Sequence, residues 1–154
     1  MENNIISKYF WIACVAVTIL NALIMKFRSR KYIARNPSLA AGYQRLFWGS
    51  LFWLNVPCVV MGIGILSGNV DSVDVYIKPQ GMNYFIVAFY AVIVIEWLLC
   101  AYWILCRDGA NVLYTHPGML RHDPKSPTVV KMWTCVMLAA GIMGLTMILQ
   151  NGHL

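Results

Sequence analysis

The segment YFIVAFYAVIVIEWLLCAYWILC, from Tyr84 to Cys106, decides the fold class of this chain. It is apolar, aromatic or weakly polar throughout except for Glu96, and it exceeds the ~20 helical residues that cross a hydrocarbon core about 30 Å thick. An ionised side chain at that depth costs on the order of 3 kcal/mol, so such residues usually face a bundle interior or a wet cavity. The segment therefore predicts a transmembrane helix with one polar group near its centre.

Three further apolar stretches have a similar length, and together they set the composition of the chain. The 154 residues are 60% apolar and 12% charged, whereas soluble domains contain about 25% charged residues. We predict an all-α membrane protein with four transmembrane helices in an up-down bundle, at about 5–25, 46–66, 84–106 and 128–149. Residues 1–154 form a single transmembrane domain in this interpretation, with cytoplasmic loops at 26–45 and 107–127 and an outer loop at 67–83.

Lysine and arginine are distributed unequally among the connections, and this predicts the orientation of the chain. The connection between the first two spans has no acid, whereas the outer loop has one lysine beside two aspartates. The basic residues of the connection between the first two spans are also candidates for contact with lipid headgroups or a partner. They are Lys26, Arg28, Arg30, Lys31, Arg35 and Arg45. By the positive-inside rule this connection is cytoplasmic, so we expect a multi-pass protein of the plasma (inner) membrane with both termini outside.

A candidate polar site lies at mid-membrane depth on the second and third spans. Pro57 removes one amide donor and frees the carbonyl group of Trp53, which needs another partner in lipid. Asn55 lies at about the same depth as Glu96, so we group Glu96, Asn55, Trp53 and Pro57 as one candidate site. The acid is then either a protonatable functional group or a neutral structural group that is hydrogen-bonded to Asn55 or to the freed carbonyl.

Helix boundaries are signalled at several points of the connections. Asn36 followed by Pro37 is typical of a helix start, because proline lacks the amide that would be unsatisfied there. Gly109 fits a helix C-cap after the third span, and residues 110–115 fit a short interfacial helix. On the third span, Cys100 and Trp103 are expected on the helical face of Glu96.

Most soluble chemistries find no support in the sequence. The spacing of His116, His122, Asp123 and Cys106 matches no zinc pattern, so no metal and no cofactor are expected. Phosphate-binding loops and Ser-His-Asp orderings are missing from the sequence. No connection is long enough for a basic soluble module, which argues against a nucleic-acid partner.

Three motifs resemble a family of small four-span bacterial membrane proteins. They are Asn36-Pro37-x-Leu39-x-x-Gly42-Tyr43, then Met61-Gly62-Ile63-Gly64, and then His116-Pro117-Gly118 with Ser126-Pro127-Thr128. The resemblance covers most of the chain and implies a four-span membrane fold. It implies no particular activity, and Glu96 is not part of the pattern.

Three functional hypotheses follow. Short loops and sparse polar content favour a structural or interaction subunit of a membrane assembly, whose partners are the lipid bilayer and either a second copy or another membrane subunit. The alternative is a small proton-coupled carrier or channel that uses Glu96. The second alternative is a four-span enzyme of the glutathione and eicosanoid type, whose Glu-Arg pair and following Asn are replaced here by Gln44-Arg45 and Asn55 at a different spacing, so whether the chain is an enzyme is left open.

Overall fold

The computed structural model describes residues 5–79, 81, 83–120 and 122–151, so both chain ends lie outside the described residues. Within these ranges the regular secondary structure is helical, and the α-helices are α1 Ile5–Arg35, α2 Ala40–Trp53, α3 Val56–Leu66, α4 Asp74–Ile77, α5 Tyr84–Cys106, α6 Gly109–Thr115 and α7 Pro127–Asn151. Helix α1, the α2–α3 pair, α5 and α7 are the four helices long and apolar enough to cross a membrane. The prediction of a helical chain with four helices long and apolar enough to cross a membrane is confirmed for the described residues.

Helix α1 extends well beyond the predicted span, because the basic segment that follows Met25 is helical as far as Arg35. Residues 26–35 add about 15 Å of helix, so the residues predicted as a cytoplasmic loop are largely helical. The chain turns at Asn36, whose side chain accepts a hydrogen bond of 3.2 Å from the backbone N–H of Ser38. A short 3₁₀ turn, Pro37–Leu39, then leads directly into α2.

The second candidate span is interrupted where the sequence predicted a disturbance. Helix α2 ends at Trp53, and α3 begins at Val56 with Pro57 in its first turn. At the break, the N–H of Asn55 donates to the carbonyl of Phe52 at 3.2 Å, one residue closer than in a regular α-helix. This shift leaves the Leu51 carbonyl without its usual backbone donor.

The helices pack in the order in which they follow one another along the chain. Helix α3 lies between α1 and α5, and α7 packs against α5 and α6. Gly62 of α3 meets the Trp11 ring of α1, while Phe47 of α2 meets Lys26 further along α1. These two contacts show that α1 runs antiparallel to the α2–α3 pair.

The segment between α3 and α5 folds into a compact structure that we call the cap, residues 67–79 with the neighbouring ends of α1, α3 and α5. Tyr76 is 1% exposed and packs with Met61, Ile65, Val73 and Ile86. Its hydroxyl donates to the Met61 carbonyl at 3.4 Å.

The opposite end of the molecule, which we call the basic end, is closed by the segment around α6. Arg107 follows α5, and Asp108 adopts the left-handed conformation with φ 64°. The expectation that Gly109 caps α5 is therefore wrong, because Gly109 is the first residue of α6. Its missing side chain instead makes room for Trp103, whose ring a Cβ would approach to 2.6 Å. The predicted short helix over 110–115 is confirmed.

Candidate functional site

Five polar or weakly polar side chains lie near one another between α1, α3 and α5 in an otherwise apolar interior. We call this group the polar layer, and its members are Cys14, Thr18, Asn55, Cys58 and Glu96. Cys14 and Thr18 are four residues apart, so they lie on one face of α1. Asn55 and Cys58 are three apart at the start of α3 and lie on the face opposite. The same antiparallel pairing that joins Trp11 to Gly62 thus brings these residues together.

Asn55 is the best-satisfied member of the polar layer. Its side-chain nitrogen donates to the Leu51 carbonyl at 2.6 Å, which is the carbonyl left free by the helix break. Its side-chain oxygen accepts a hydrogen bond from the Thr18 hydroxyl on α1. Asn55 therefore repairs the break at Pro57 and joins two helices at the same time.

Glu96 has no comparable set of partners. The residue is half-buried, and its Oε1 atom is shielded from solvent without a hydrogen-bond partner among the described residues. The Cys58 thiol lies beside the Cys14 thiol and close enough to the Glu96 carboxyl to interact with it electrostatically. Thiols are weak hydrogen-bond donors, so this neighbourhood solvates a carboxyl group poorly.

The expected hydrogen bonds from Glu96 to Asn55 or to the Trp53 carbonyl do not form among the described residues. Asn55 is occupied by Thr18 and Leu51, and Trp53 is 50% exposed at the end of α2. Pro57 does interrupt the helix, as predicted. Asn55 and Glu96 thus both belong to the polar layer, but Asn55 is hydrogen-bonded there and the Glu96 Oε1 atom is not.

The expected face of α5 is also divided between two neighbours. Cys100 is exposed, and Trp103 packs over Gly109 of α6. Trp97, directly after Glu96, packs over Gly141 of α7. The residues of the expected face therefore have different surroundings: Cys100 is exposed, and Trp103 packs against α6.

Sequence reasoning missed Thr18 and Cys14 as members of the polar layer. Each is a small, weakly polar residue in a long apolar stretch, which is common in membrane helices. Their four-residue spacing was the available signal. It became meaningful only with the pairing of α1 and α3.

The six basic residues lie at the basic end, and three of them rest on aromatic rings. Lys26 lies 5.1 Å from the centre of the Phe47 ring, and Lys31 lies 4.7 Å from the centre of the Tyr32 ring. The third, Arg30, lies 5.6 Å from the ring of Phe27. The remaining three are Arg28, Arg35 and Arg45, which are exposed like the others.

Two of the motifs that carry the family resemblance contact each other at this end. The His116 ring occupies the space beside Gly42, where a Cβ would lie 2.0 Å from its Nε2 atom. The Tyr43 hydroxyl donates to the Pro117 carbonyl at 2.7 Å. His116 also packs edge-on against Tyr43, with ring centres 4.8 Å apart. These contacts fix the segment after α6 onto the start of α2.

Among the described residues, no cluster of three or more His, Cys, Asp or Glu side chains is arranged to hold a metal ion. His116 is committed to its neighbours, since its Nδ1 atom lies 2.7 Å from the Val112 carbonyl. Asp123 accepts a hydrogen bond of 2.6 Å from the N–H of Gly118. Both residues therefore act as structural elements of the basic end.

No protein-family model matches the chain, and neither the curated proteins nor the solved structures yield a match.

Proposed function

We propose that this protein is a small proton-coupled carrier or channel of the bacterial inner membrane in which Glu96 binds and releases the proton. The observation that carries the proposal is the shielded Oε1 atom of Glu96, which has no hydrogen-bond partner among the described residues. A buried polar atom without a partner costs about 1–3 kcal/mol. A carboxyl with a purely structural role is expected to have partners like those of Asn55, whereas a proton-binding group must remain available.

The surroundings of Glu96 support the same proposal. The helix break at Leu54 and Asn55 lies beside the polar layer, and interrupted helices are the usual framework of ion and substrate sites in membrane transporters. The Cys14, Thr18 and Cys58 side chains are small and uncharged in their ordinary states. No basic side chain among the described residues forms a salt bridge with Glu96, so its charge is left to be balanced by a proton.

The orientation belongs to the proposal as well. We place the basic end in the cytoplasm because six basic residues and no acid lie between Lys26 and Arg45. With four spans arranged up and down, both termini then face outward. One bundle of four helices has a narrow interior, so a second copy or another membrane subunit is the proposed partner in the working form.

The test is proton uptake into vesicles that contain the purified protein, driven by an imposed membrane potential and followed with a pH-sensitive dye inside. We expect Glu96→Gln to abolish uptake. Asp71→Asn, which removes an exposed acid in the cap, is the matched control and should leave uptake unchanged. Uptake by the Glu96 variant at the wild-type rate would contradict the proposal.

A second measurement addresses a carrier that needs an unknown co-substrate and therefore shows no uptake alone. Infrared spectra of the wild-type protein in vesicles should contain a carboxyl band that responds to the pH of the bath and disappears in Glu96→Gln. A band from Glu96 that is insensitive to pH and to hydrogen–deuterium exchange would mean that water never reaches the acid. That result would exclude proton transfer at this position.

A structural or interaction subunit is the second candidate, and α7 favours it. This helix packs against α5 and α6 through one stripe, while Ala140 and Gly144 on it are exposed. A Cβ at Gly144 would meet no atom within 4 Å, so another helix can approach closely there. The mass of the intact particle in mild detergent tests this candidate, and a lone protomer would contradict it.

A further inference from the structure

An open cavity of about 320 Å³ lies at the basic end, between α1, α2 and the segment that follows α6. Helix α1 contributes Met25 and Lys26, α2 contributes Gln44, Phe47 and Trp48, and the third wall is Met119. The cavity is remote from Glu96 along the chain of helix contacts, since Lys26 lies about two turns beyond Thr18 on α1. It plays no part in the proton chemistry proposed above.

The walls of the cavity are held together by specific contacts. The hydrogen bond from Tyr43 to Pro117 and the seat of His116 against Gly42 attach the third wall to α2. The buried Ser29, 3% exposed, closes the floor and donates its hydroxyl to the Lys26 carbonyl at 2.8 Å. The cavity is therefore formed before any ligand arrives, as binding pockets usually are.

The chemistry of the walls is that of an amphiphile site. Met25, Phe47 and Trp48 provide an apolar surface, and the Lys26 ammonium group lies at its edge over the Phe47 ring. The described lining contains no acidic side chain to neutralise that lysine. A ligand that complements these walls has an anionic head and an apolar tail.

The depth of the cavity selects the source of such a ligand. Lys26 is the first charged residue after the long apolar stretch of α1, so the cavity lies at the boundary between hydrocarbon and headgroups. The basic residues from Lys26 to Arg45 add a positive field at the same boundary, which attracts anionic lipids. We propose that this cavity is a binding site for one anionic phospholipid, with the phosphate at Lys26 and the upper acyl chain against Phe47 and Met25.

Two parts of the site have separate roles. The Lys26 ammonium binds the phosphate as a compact charge with three donors. The exposed side-chain amide of Gln44 lies on the same cavity and supplies a neutral donor for the ester region. The lipid then lies against α1 and α2 together and connects the two helices.

The experiment uses the full chain in mild detergent, with bound lipid measured by native mass spectrometry. Phosphatidylglycerol and phosphatidylcholine of identical acyl composition are the probes. We expect the wild-type protein to retain phosphatidylglycerol and to lose phosphatidylcholine. Lys26→Gln should weaken retention of phosphatidylglycerol about tenfold, and Lys26→Arg, which keeps the charge, should preserve it.

Lys31→Gln is the matched control, because it removes the same charge from the same helix. Lys31 lies over the Tyr32 ring rather than on the cavity. It should retain most of the lipid. Equal losses in the two glutamine variants would mean diffuse attraction by the basic segment and would overturn the proposal. Equal retention of both lipids would overturn the role of the headgroup, and full displacement by inorganic phosphate would show a site for a free anion instead.

Discussion

The cap and the polar layer are built on the same three helices, yet they treat polar groups in opposite ways. In the cap, the N–H of Val73 donates to the Ser7 carbonyl at 3.3 Å, and the Ser7 hydroxyl donates to Asp74 at 2.8 Å. The Tyr90 hydroxyl donates to the backbone carbonyl of Tyr76 at 2.5 Å. In the polar layer, the Glu96 Oε1 atom has no such partner among the described residues.

The difference separates two uses of polar groups in a membrane protein. The cap uses each hydrogen bond to hold a connecting segment in one position, since unsatisfied backbone groups near lipid are costly. Asn55 extends that rule into the polar layer by serving the broken helix. Glu96 departs from it, and functional sites are where such departures are expected. The indole nitrogen of Trp11, between the two regions, is the other shielded atom without a described partner.

The strongest test of the cap is the pair Gly64→Ala and Gly144→Ala. A Cβ at Gly64 would lie 2.1 Å from the Tyr76 hydroxyl oxygen and 3.0 Å from the Phe85 Cβ, whereas one at Gly144 would meet nothing within 4 Å. We expect Gly64→Ala to lower the free energy of unfolding by about 3 kcal/mol and Gly144→Ala to leave it unchanged or raise it by up to about 1 kcal/mol. Denaturant unfolding in detergent measures both. Similar values for the two variants would show that the cap is loosely packed.

The second test compares Asn55→Leu with Glu96→Leu. Removing Asn55 leaves the Leu51 carbonyl without its side-chain donor and leaves the Thr18 hydroxyl with only the Val15 carbonyl of its own helix, so we expect a loss of about 2 kcal/mol. Removing Glu96 deletes a group that has no partner for Oε1, so stability should stay the same or increase. The same unfolding assay gives both numbers. A large loss in Glu96→Leu would remove the contrast between the two residues and assign Glu96 a structural role.

A smaller effect is expected from Thr18→Val, which removes the hydroxyl that joins α1 to Asn55. Hydrogen bonds between membrane helices average about 0.6 kcal/mol, and we expect a loss of that size. Thr146→Val on α7 is the control, because the Thr146 hydroxyl bonds only within its own helix, to Met143 at 2.8 Å. An equal change in both variants would mean that the contact with Asn55 contributes nothing to stability.

The smallest effect concerns the cap at high pH. Burial raises the pKa of the Tyr76 phenol above its ordinary value of 10.0, so its contribution is complete below that value. As pH rises further, the unfolded chain loses the phenolic proton first, and stability falls until the folded form titrates as well. Unfolding at several pH values should show this loss in the wild type and a shallower one in Tyr76→Phe. Identical slopes would mean that Tyr76 ionises freely in the folded cap.

The features predicted correctly from the sequence are local ones, which depend only on residues close to one another in the chain. The four apolar helices, the start at Asn36 and the break at Pro57 follow from composition and from the missing amide of proline. The partner of Asn55 was not predicted, since it depends on how α1 is rotated about its axis against α3. The role of Gly109 was misassigned because Asp108, and not Gly109, takes the left-handed conformation after α5. Glycine is required at position 109 because the Trp103 ring packs against it.

The contact between Tyr43 and Pro117 has a consequence for how the protein is made. The two residues are 74 positions apart in the chain, and α5 with its flanking segments is synthesised between them. The start of α2 therefore leaves the ribosome long before the segment that closes over it. The basic end remains incomplete until the segment after α6 has been synthesised, and during that interval Gly42 and Tyr43 lack the contacts with His116 and Pro117 that later cover them.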